Sequence, residues 1–412
     1  MGYTKDTIKG ISWIGVLRFS TRGVSFFRTV VLARLLSPIQ FGVFGIAILI
    51  TALLEVLTET AVNVFLIQEK EDIEKYINSA WVISILRGIL ISILILLSSK
   101  FVSDFFHSPE SLFLLQLISL VPLIRGFINP SVVKFQKHLE FHKEFWYKLV
   151  IFSFDASIAV LFAFITRNAI SLVFGLIASA LLEAFLSFYI VRPLPSIAFD
   201  RTYFSKIFHK GKWITLSGIF NYLYHNVDNI VVGRILGVGA LGIYEVAYRI
   251  SMLPITEISD VISKVTFPVY AKISDDIPRL KWAFLRTIVF VSILAIPFGI
   301  ILIIFPSEII RTVLGEKWLS MVPVLKILAI FGVIRAISGS TSALFLAIGK
   351  QQYVTVVTLA SIIGLAIPII PLTVKFGIIG AGVAVLIGSL VSLPFMIYYS
   401  IRTLILYEKS RS

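Results

Sequence analysis

The 412-residue chain contains no cysteine. That absence excludes structural disulfides, Cys-ligated zinc, iron–sulfur clusters and thiol nucleophiles. Charge is scarce as well: Asp, Glu, Lys and Arg make up 15% of the residues, where a soluble domain carries about 25%. In their place the chain is 58% hydrophobic, with a mean hydropathy of +0.95. A soluble domain is about 45–50% apolar, so both departures point to a chain solvated mostly by hydrocarbon. A membrane span needs roughly 20 apolar residues, which leaves room for about twelve. Acidic residues are the scarcer sign, 23 against 37 basic, for a net charge of +14. The basic excess is spread over short loops and not gathered into a soluble domain, so it is a topology signal and no nucleic-acid partner is expected. Long polar loops are missing too; the largest extramembrane stretches lie near 132–148, 192–212 and 271–283, too short for a catalytic head. The first apolar stretch carries Arg18, Arg22, Arg28 and Arg34 and lacks a small-residue cleavage site, so no signal peptide is expected.

Hydropathy places apolar segments near residues 9–36, 39–67, 77–99, 110–131, 146–166, 169–191, 212–236, 239–270, 283–305, 319–347, 353–375 and 377–405. The first and eighth are the most polar and are retained because an internal repeat requires them. With a cytoplasmic N-terminus, 22 Lys and Arg residues fall on the cytoplasmic side and seven on the other. This bias puts both termini in the cytoplasm. Residues 132–148 (VVKFQKHLEFHKEFWYK) interleave aromatics with Lys and His and read as one interfacial helix. His138 and His142 there are spaced i, i+4, but no glutamate follows the first histidine as the zinc-protease pattern demands. No metal and no cofactor are expected.

Residues 29–47 (TVVLARLLSPIQFGVFGIA) align without gaps on residues 229–247 (NIVVGRILGVGALGIYEVA), an offset of 200. Arg34 matches Arg234, Gly42 matches Gly242, and Trp13-Ile14 matches Trp213-Ile214 in the same register. The agreement of Arg, Gly and Trp implies two homologous six-span halves, and an even span number makes them parallel repeats. The expected organisation is an all-α integral membrane protein with an N-terminal lobe over 1–191, a cytoplasmic linker over 192–211 containing Pro193 and Pro195, and a C-terminal lobe over 212–412. Gly42 and Gly242 permit close helix approach or a sharp turn into the second helix of each repeat. Arg34 and Arg234 sit at outer helix ends, where the macrodipole favours a cation and a headgroup phosphate is in reach.

Charges at membrane depth cost roughly 2.5–3.5 kcal/mol each on insertion scales, so they face a wet cavity or a partner. Arg18 and Arg22 lie one turn apart in the first span, and Arg28 lies deeper toward the outer side. They suit a diphosphate, which guanidinium groups bind bidentately; neutralisation by Glu55 or Glu59 is the competing reading. Glu55 and Glu59 are themselves read as one turn apart in the second span, with Glu257 and Asp260 near the equivalent place in the eighth. The glutamates are expected to neutralise first-span arginines, the other use of these carboxylates being proton or sodium coupling. Arg28 and Asp228 occupy repeat-equivalent positions with opposite charge, and are read as a pair bordering an outer gate. Asp155 and Glu183 add single carboxylates, and Arg87, Arg125, Arg249, Lys326 and Arg335 add cations, some close enough to a membrane face to snorkel.

Residues 224–249 (YHNVDNIVVGRILGVGALGIYEVAYR), with 32–44 (LARLLSPIQFGVF) as their first-half counterpart, resemble the polysaccharide exporters of the teichuronic-acid and colanic-acid type. These belong to the MOP superfamily with Wzx-type O-antigen flippases, peptidoglycan lipid flippases and MATE drug exporters. The specific part is Asp228 followed by the G-R-x-L-G and L-G-x-Y-x-x-A-Y-R run. The resemblance implies a V-shaped pair of six-helix lobes that alternate between inward-open and outward-open states. It also implies an isoprenoid-diphosphate-linked oligosaccharide as substrate, the bilayer as solvent, and a polysaccharide polymerase or glycosyltransferases as neighbouring partners. Many members carry two further C-terminal spans; the sequence ends at Ser412 after the twelfth segment, so the resemblance extends to the two-lobe core and not to that pair. A MATE-like exporter of organic cations is the alternative, disfavoured because an Arg-lined span repels such substrates. A membrane glycan-assembly enzyme lacks the loop its carboxylates would need, and a scaffold subunit would not need charged helices at membrane depth.

Overall fold

The computed structural model describes residues 2–60, 62–69, 73–198 and 201–409, with side chains left out at 2–12, 14, 68, 201–217, 253–261, 264, 265 and 405–409. Regular structure among the described residues is helical: α1 (Gly2–Leu35), α2 (Pro38–Leu57), α3 (Val62–Gln68), α4 (Glu74–Phe105), α5 (Pro109–Ile118), α6 (Leu120–Gly126), α7 (Lys134–Lys137), α8 (Phe141–Thr166), α9 (Ile170–Ile190), α10 (Arg201–Leu236), α11 (Val238–Lys272), α12 (Ile277–Ile304), α13 (Pro306–Val313), α14 (Val322–Ala347) and α15 (Gln351–Lys409). Proline at the first turn starts α2, α5 and α13, where its missing N–H costs nothing. In α12 the Asp276 side chain accepts from the Arg279 N–H and caps the first turn.

Among the described residues, eight helical stretches are long and apolar enough to cross a membrane. They cover α2, α4, α5 with α6, α8, α9, α12, the 3-10 turn Glu316–Met321 with α14, and α15 as far as Leu404. The protein is therefore a multi-pass membrane protein. The first, seventh and eighth hydropathy segments fall in α1, α10 and α11, which are outside that set. The last two segments fall in α15, which is broken at Gly377 (φ 62, ψ −143) between them.

Two segments differ from the sequence reading. The stretch 39–67 is not one helix: α2 ends at Leu57, Thr58 caps it, and α3 starts at Val62. The Thr58 hydroxyl donates to the Leu54 carbonyl at 2.7 Å, which helps to satisfy the carbonyls left open at the helix end. Residues 132–148 are not one interfacial helix either. A 3-10 turn (Pro130–Val133) runs into α7, the chain turns at Leu139 with φ 58, and α8 begins at Phe141. A left-handed residue ends a helix because the next N–H can no longer continue the i→i−4 ladder.

Packing divides the chain into two compact units, Met1–Val227 and Asp228–Ser412, so the boundary falls inside α10. In the first unit α1 lies along α8, α8 packs on α9, α4 on α5 and α6, and α2 on α5. An aromatic–aliphatic cluster around Phe65, Leu66, Tyr76 and Ile77 closes it near α3. Asn129 and Ser131 tie down the chain after α9, both donating to the Pro193 carbonyl at 3.1 and 2.9 Å. In the second unit α14 is central, packing on α11, α12 and α15. Its core includes Tyr270, Leu280, Phe284, Leu344 and Phe345.

The repeat is visible in the helix ends. α2 starts at Pro38 and α11 at Val238, capped by Ser37 and Gly237, again 200 residues apart. Arg34 and Arg234 both lie in the last turn of the preceding helix with exposed side chains, and Gly42 and Gly242 are buried one turn into the next.

Candidate functional site

α1 brings Arg18, Arg22 and Arg28 into the first unit. Arg18 is half-buried and Arg22 exposed. The Thr21 hydroxyl between them donates to the Leu17 carbonyl at 2.8 Å, so that hydroxyl is satisfied within the helix. Arg28 pairs through Nη1 with Asp155 Oδ2 of α8 at 2.9 Å, and both side chains are largely buried. Asp228, the partner read from the repeat, is bonded within the second unit, so each half of that expected gate has a partner in its own unit. The room for Asp155 comes from Gly175 on α9. A Cβ there would stand 2.7 Å from Asp155 Oδ1 and 2.8 Å from the Ala159 Cβ.

A second cluster lines a cavity of about 340 Å³ inside the first unit. Its charged walls are Glu55 of α2, Arg87 of α4, Arg125 of α6, Glu144 and Lys148 of α8, and Glu183 of α9. Arg87 Nη2 donates to the Glu55 carbonyl at 2.6 Å and to Glu59 Oε2 at 3.3 Å, and Nε donates to the Thr58 hydroxyl at 3.3 Å. One guanidinium thus caps the C-terminus of α2, where the helix dipole favours a cation. Arg125 faces Glu55 at 3.9 Å. Glu144 accepts from Lys148 and, at 2.7 Å, from Gln136, while the Tyr147 hydroxyl donates to the Glu183 carbonyl at 3.2 Å.

The two glutamates do not lie on one helix. Glu59 lies beyond the end of α2, and the partners seen for Glu55 and Glu59 come from α4 and α6. In the sequence Arg87 and Arg125 stand only as scattered cations. They line one cavity because α4 and α6 cross at glycine: a Cβ on Gly88 would lie 2.5 Å from the Pro122 carbonyl oxygen and 3.1 Å from the Gly126 Cα. Each arginine immediately precedes its contact glycine, so the Arg-Gly dipeptides at 87–88 and 125–126 were the available signal.

In the second unit the structure accounts for the motif that carries the resemblance. Asp228 Oδ2 accepts from the Tyr244 hydroxyl at 2.8 Å, and Oδ1 accepts from the Asn229 N–H at 2.9 Å. Tyr248, one turn on, accepts from Arg335 Nη1 of α14 at 2.8 Å. Its ring packs on Phe331, over which the Arg335 guanidinium lies at 5.8 Å. Glu245 and Arg249 form an i, i+4 pair at 3.0 Å. The two tyrosines of L-G-x-Y-x-x-A-Y-R thus hold an aspartate and an arginine from neighbouring helices. Glu257 and Asp260 fall in α11 among side chains outside the described residues. Among the described residues no group of three or more His, Asp or Glu is placed to hold a metal.

Comparison with known proteins places this geometry in a family. A family model for polysaccharide biosynthesis proteins matches residues 31–323. The lipopolysaccharide biosynthesis protein WzxC of Escherichia coli (strain K12) is 27% identical over 349 residues, covering 84% of this chain and 71% of that protein. The teichuronic acid biosynthesis protein TuaB of Bacillus subtilis (strain 168) is 26% identical over 353 residues, covering 85% of this chain and 73% of the relative. Among solved structures, the inward closed conformation of the lipid II flippase MurJ superposes with a TM-score of 0.73 at 18% identity, over 95% of this chain and 89% of that one. An inward-facing multidrug resistance MATE family transporter of the MOP superfamily gives 0.70 at 16% identity, over 97% and 100%. These likenesses give the fold as that of the MOP superfamily, and the family match over most of the chain establishes that it belongs to the polysaccharide biosynthesis protein family.

Proposed function

We propose that the protein is a flippase that moves isoprenoid-diphosphate-linked oligosaccharide, a polysaccharide precursor, across the cytoplasmic membrane by alternating access. It acts as a transporter and not as an enzyme. The observation that carries this reading is the charge of α1 in a chain that belongs to the polysaccharide biosynthesis family. Arg28 is anchored to Asp155, while the exposed Arg22 and half-buried Arg18, about two and three turns earlier, suit an anionic diphosphate. The names of the relatives, WzxC, TuaB and the succinoglycan biosynthesis transport protein ExoT of Rhizobium meliloti (strain 1021), support the same substrate class. Two lobes, at 1–191 and 212–412 with both termini cytoplasmic, form the working arrangement of this reading.

Within it, Arg18 and Arg22 bind the diphosphate, and the Glu55–Arg125 and Glu59–Arg87 pairs keep the cavity of the first unit neutral and hydrated. Reconstitution into liposomes with a fluorescent lipid-diphosphate oligosaccharide tests the assignment. Arg18→Ala and Arg22→Ala are expected to lower the flipping rate at least tenfold, because each removes a charge-assisted bidentate contact of about 1.5–3 kcal/mol. Arg→Lys at either position is expected to recover only part, since an ammonium lacks the planar fork. Wild-type rates in both alanine variants would remove the headgroup assignment. A MATE-like exporter of cations would instead move a cationic dye in the same vesicles.

A further inference from the structure

The second unit carries a groove that none of the charge clusters uses. It lies between α11 and α12, holds about 610 Å³, and is walled by Ile262 and Thr266 on one helix and by Arg286, Val289, Phe290 and Ile293 on the other. Helical periodicity sets Arg279, Trp282, Arg286, Phe290 and Ile293 in one stripe along α12, at spacings of three and four. Trp282, Phe290 and Ile293 are each more than half exposed. The stripe begins where the positive-inside pattern puts the cytoplasmic boundary, with Arg279, Lys281 and Arg286 within two turns. It is basic and aromatic at that end and apolar beyond.

Two features make this stripe more than ordinary lipid-facing surface. The Arg286 guanidinium lies 3.9 Å over the Trp282 ring; an indole holds a cation in place without neutralising it, so the charge is kept for a phosphate. Of the two acidic groups at this helix end, Asp275 and Asp276, the latter is engaged in capping, accepting from the Arg279 N–H at 3.1 Å. From Trp282 to Ile293 the helix rises roughly 16 Å, about the depth of one leaflet of a hydrocarbon core roughly 30 Å thick. A single acyl chain matches that length.

We propose that the α11–α12 groove binds an anionic phospholipid of the cytoplasmic leaflet, its phosphate on Arg286 and one acyl chain along Phe290 and Ile293 against Ile262. The site is independent of the substrate assigned above. The test is native mass spectrometry of the full chain in detergent, offered equal amounts of phosphatidylglycerol and phosphatidylcholine with the same acyl chains. The wild type is expected to retain phosphatidylglycerol in at least fivefold excess. Arg286→Gln should bring the ratio near one, and Arg286→Lys should restore most of it. Ile293→Trp, which fills the groove and leaves the cation, should lower retention of both lipids. Thermal midpoints measured without added lipid should agree among Arg286→Gln, Arg286→Lys and wild type, since the side chain is exposed. Equal retention of the two lipids by wild type, or an unchanged preference in Arg286→Gln, would overturn the proposal. So would displacement of bound phosphatidylglycerol by an equimolar polyprenyl phosphate, which would assign the groove to a substrate tail instead.

Discussion

A buried charge in a membrane bundle depends on the residue opposite as much as on its counter-ion. Asp155 reaches Arg28 at 2.9 Å only because position 175 carries no side chain. Gly175→Ala puts a methyl within 3 Å of a carboxylate oxygen, a methyl and a backbone carbonyl at once, and backbone cannot yield as a flexible side chain does. Such overpacking costs about 1–3 kcal/mol. The melting midpoint in detergent is expected to fall in this variant, whereas an unchanged midpoint would mean that α8 and α9 separate freely. This contact was not legible in the sequence. Arg28 and Asp155 were both visible as charges at membrane depth, yet an offset of 200 singled out Asp228, because repeat symmetry relates positions and says nothing of which helix lies alongside. The contact comes from α1 lying along α8, a long-range fact of packing. The Arg18 and Arg22 pair, by contrast, needed only helical spacing.

Element by element, what hydropathy could read was length and where apolar runs stop; what it could not read was a break made by hydrogen bonds. The division of α15 at Gly377 falls where the eleventh apolar segment (353–375) gives way to the twelfth (377–405), a mark that hydropathy can read. The end of α2 at Leu57 and the turn at Leu139 had no such mark, since Thr58 and Leu139 are residues that helices accept. Gly377 has φ 62 and ψ −143, a conformation close to one reserved for glycine. Gly377→Ala is expected to cost about 1–3 kcal/mol. Since no atom lies within 4 Å of the added methyl, that loss isolates backbone strain. A lowered melting midpoint with unaltered helicity by circular dichroism checks it; a stability equal to wild type would show that α15 relaxes the turn.

At the scale of the whole molecule, two boundaries in this chain do not coincide. The exposed stretch of residues 194–198, with Ile197 at 85% exposure, is where a protease can reach. The packing boundary lies some thirty residues later, between Val227 and Asp228 and inside the continuous helix α10. The first part of α10 thus packs with the unit that precedes it, as when the Tyr222 hydroxyl donates to the Leu49 carbonyl at 2.6 Å. A cut in the linker therefore does not release two bodies. The C-terminal fragment keeps a helical strut whose docking place is in the N-terminal fragment, and the two are expected to elute together from a sizing column in detergent. Separate elution would contradict the packing seen for residues 218–227. The linker read from composition remains the chemical seam of the molecule, while the mechanical seam lies within a helix, so a severed transporter of this kind is built to stay assembled.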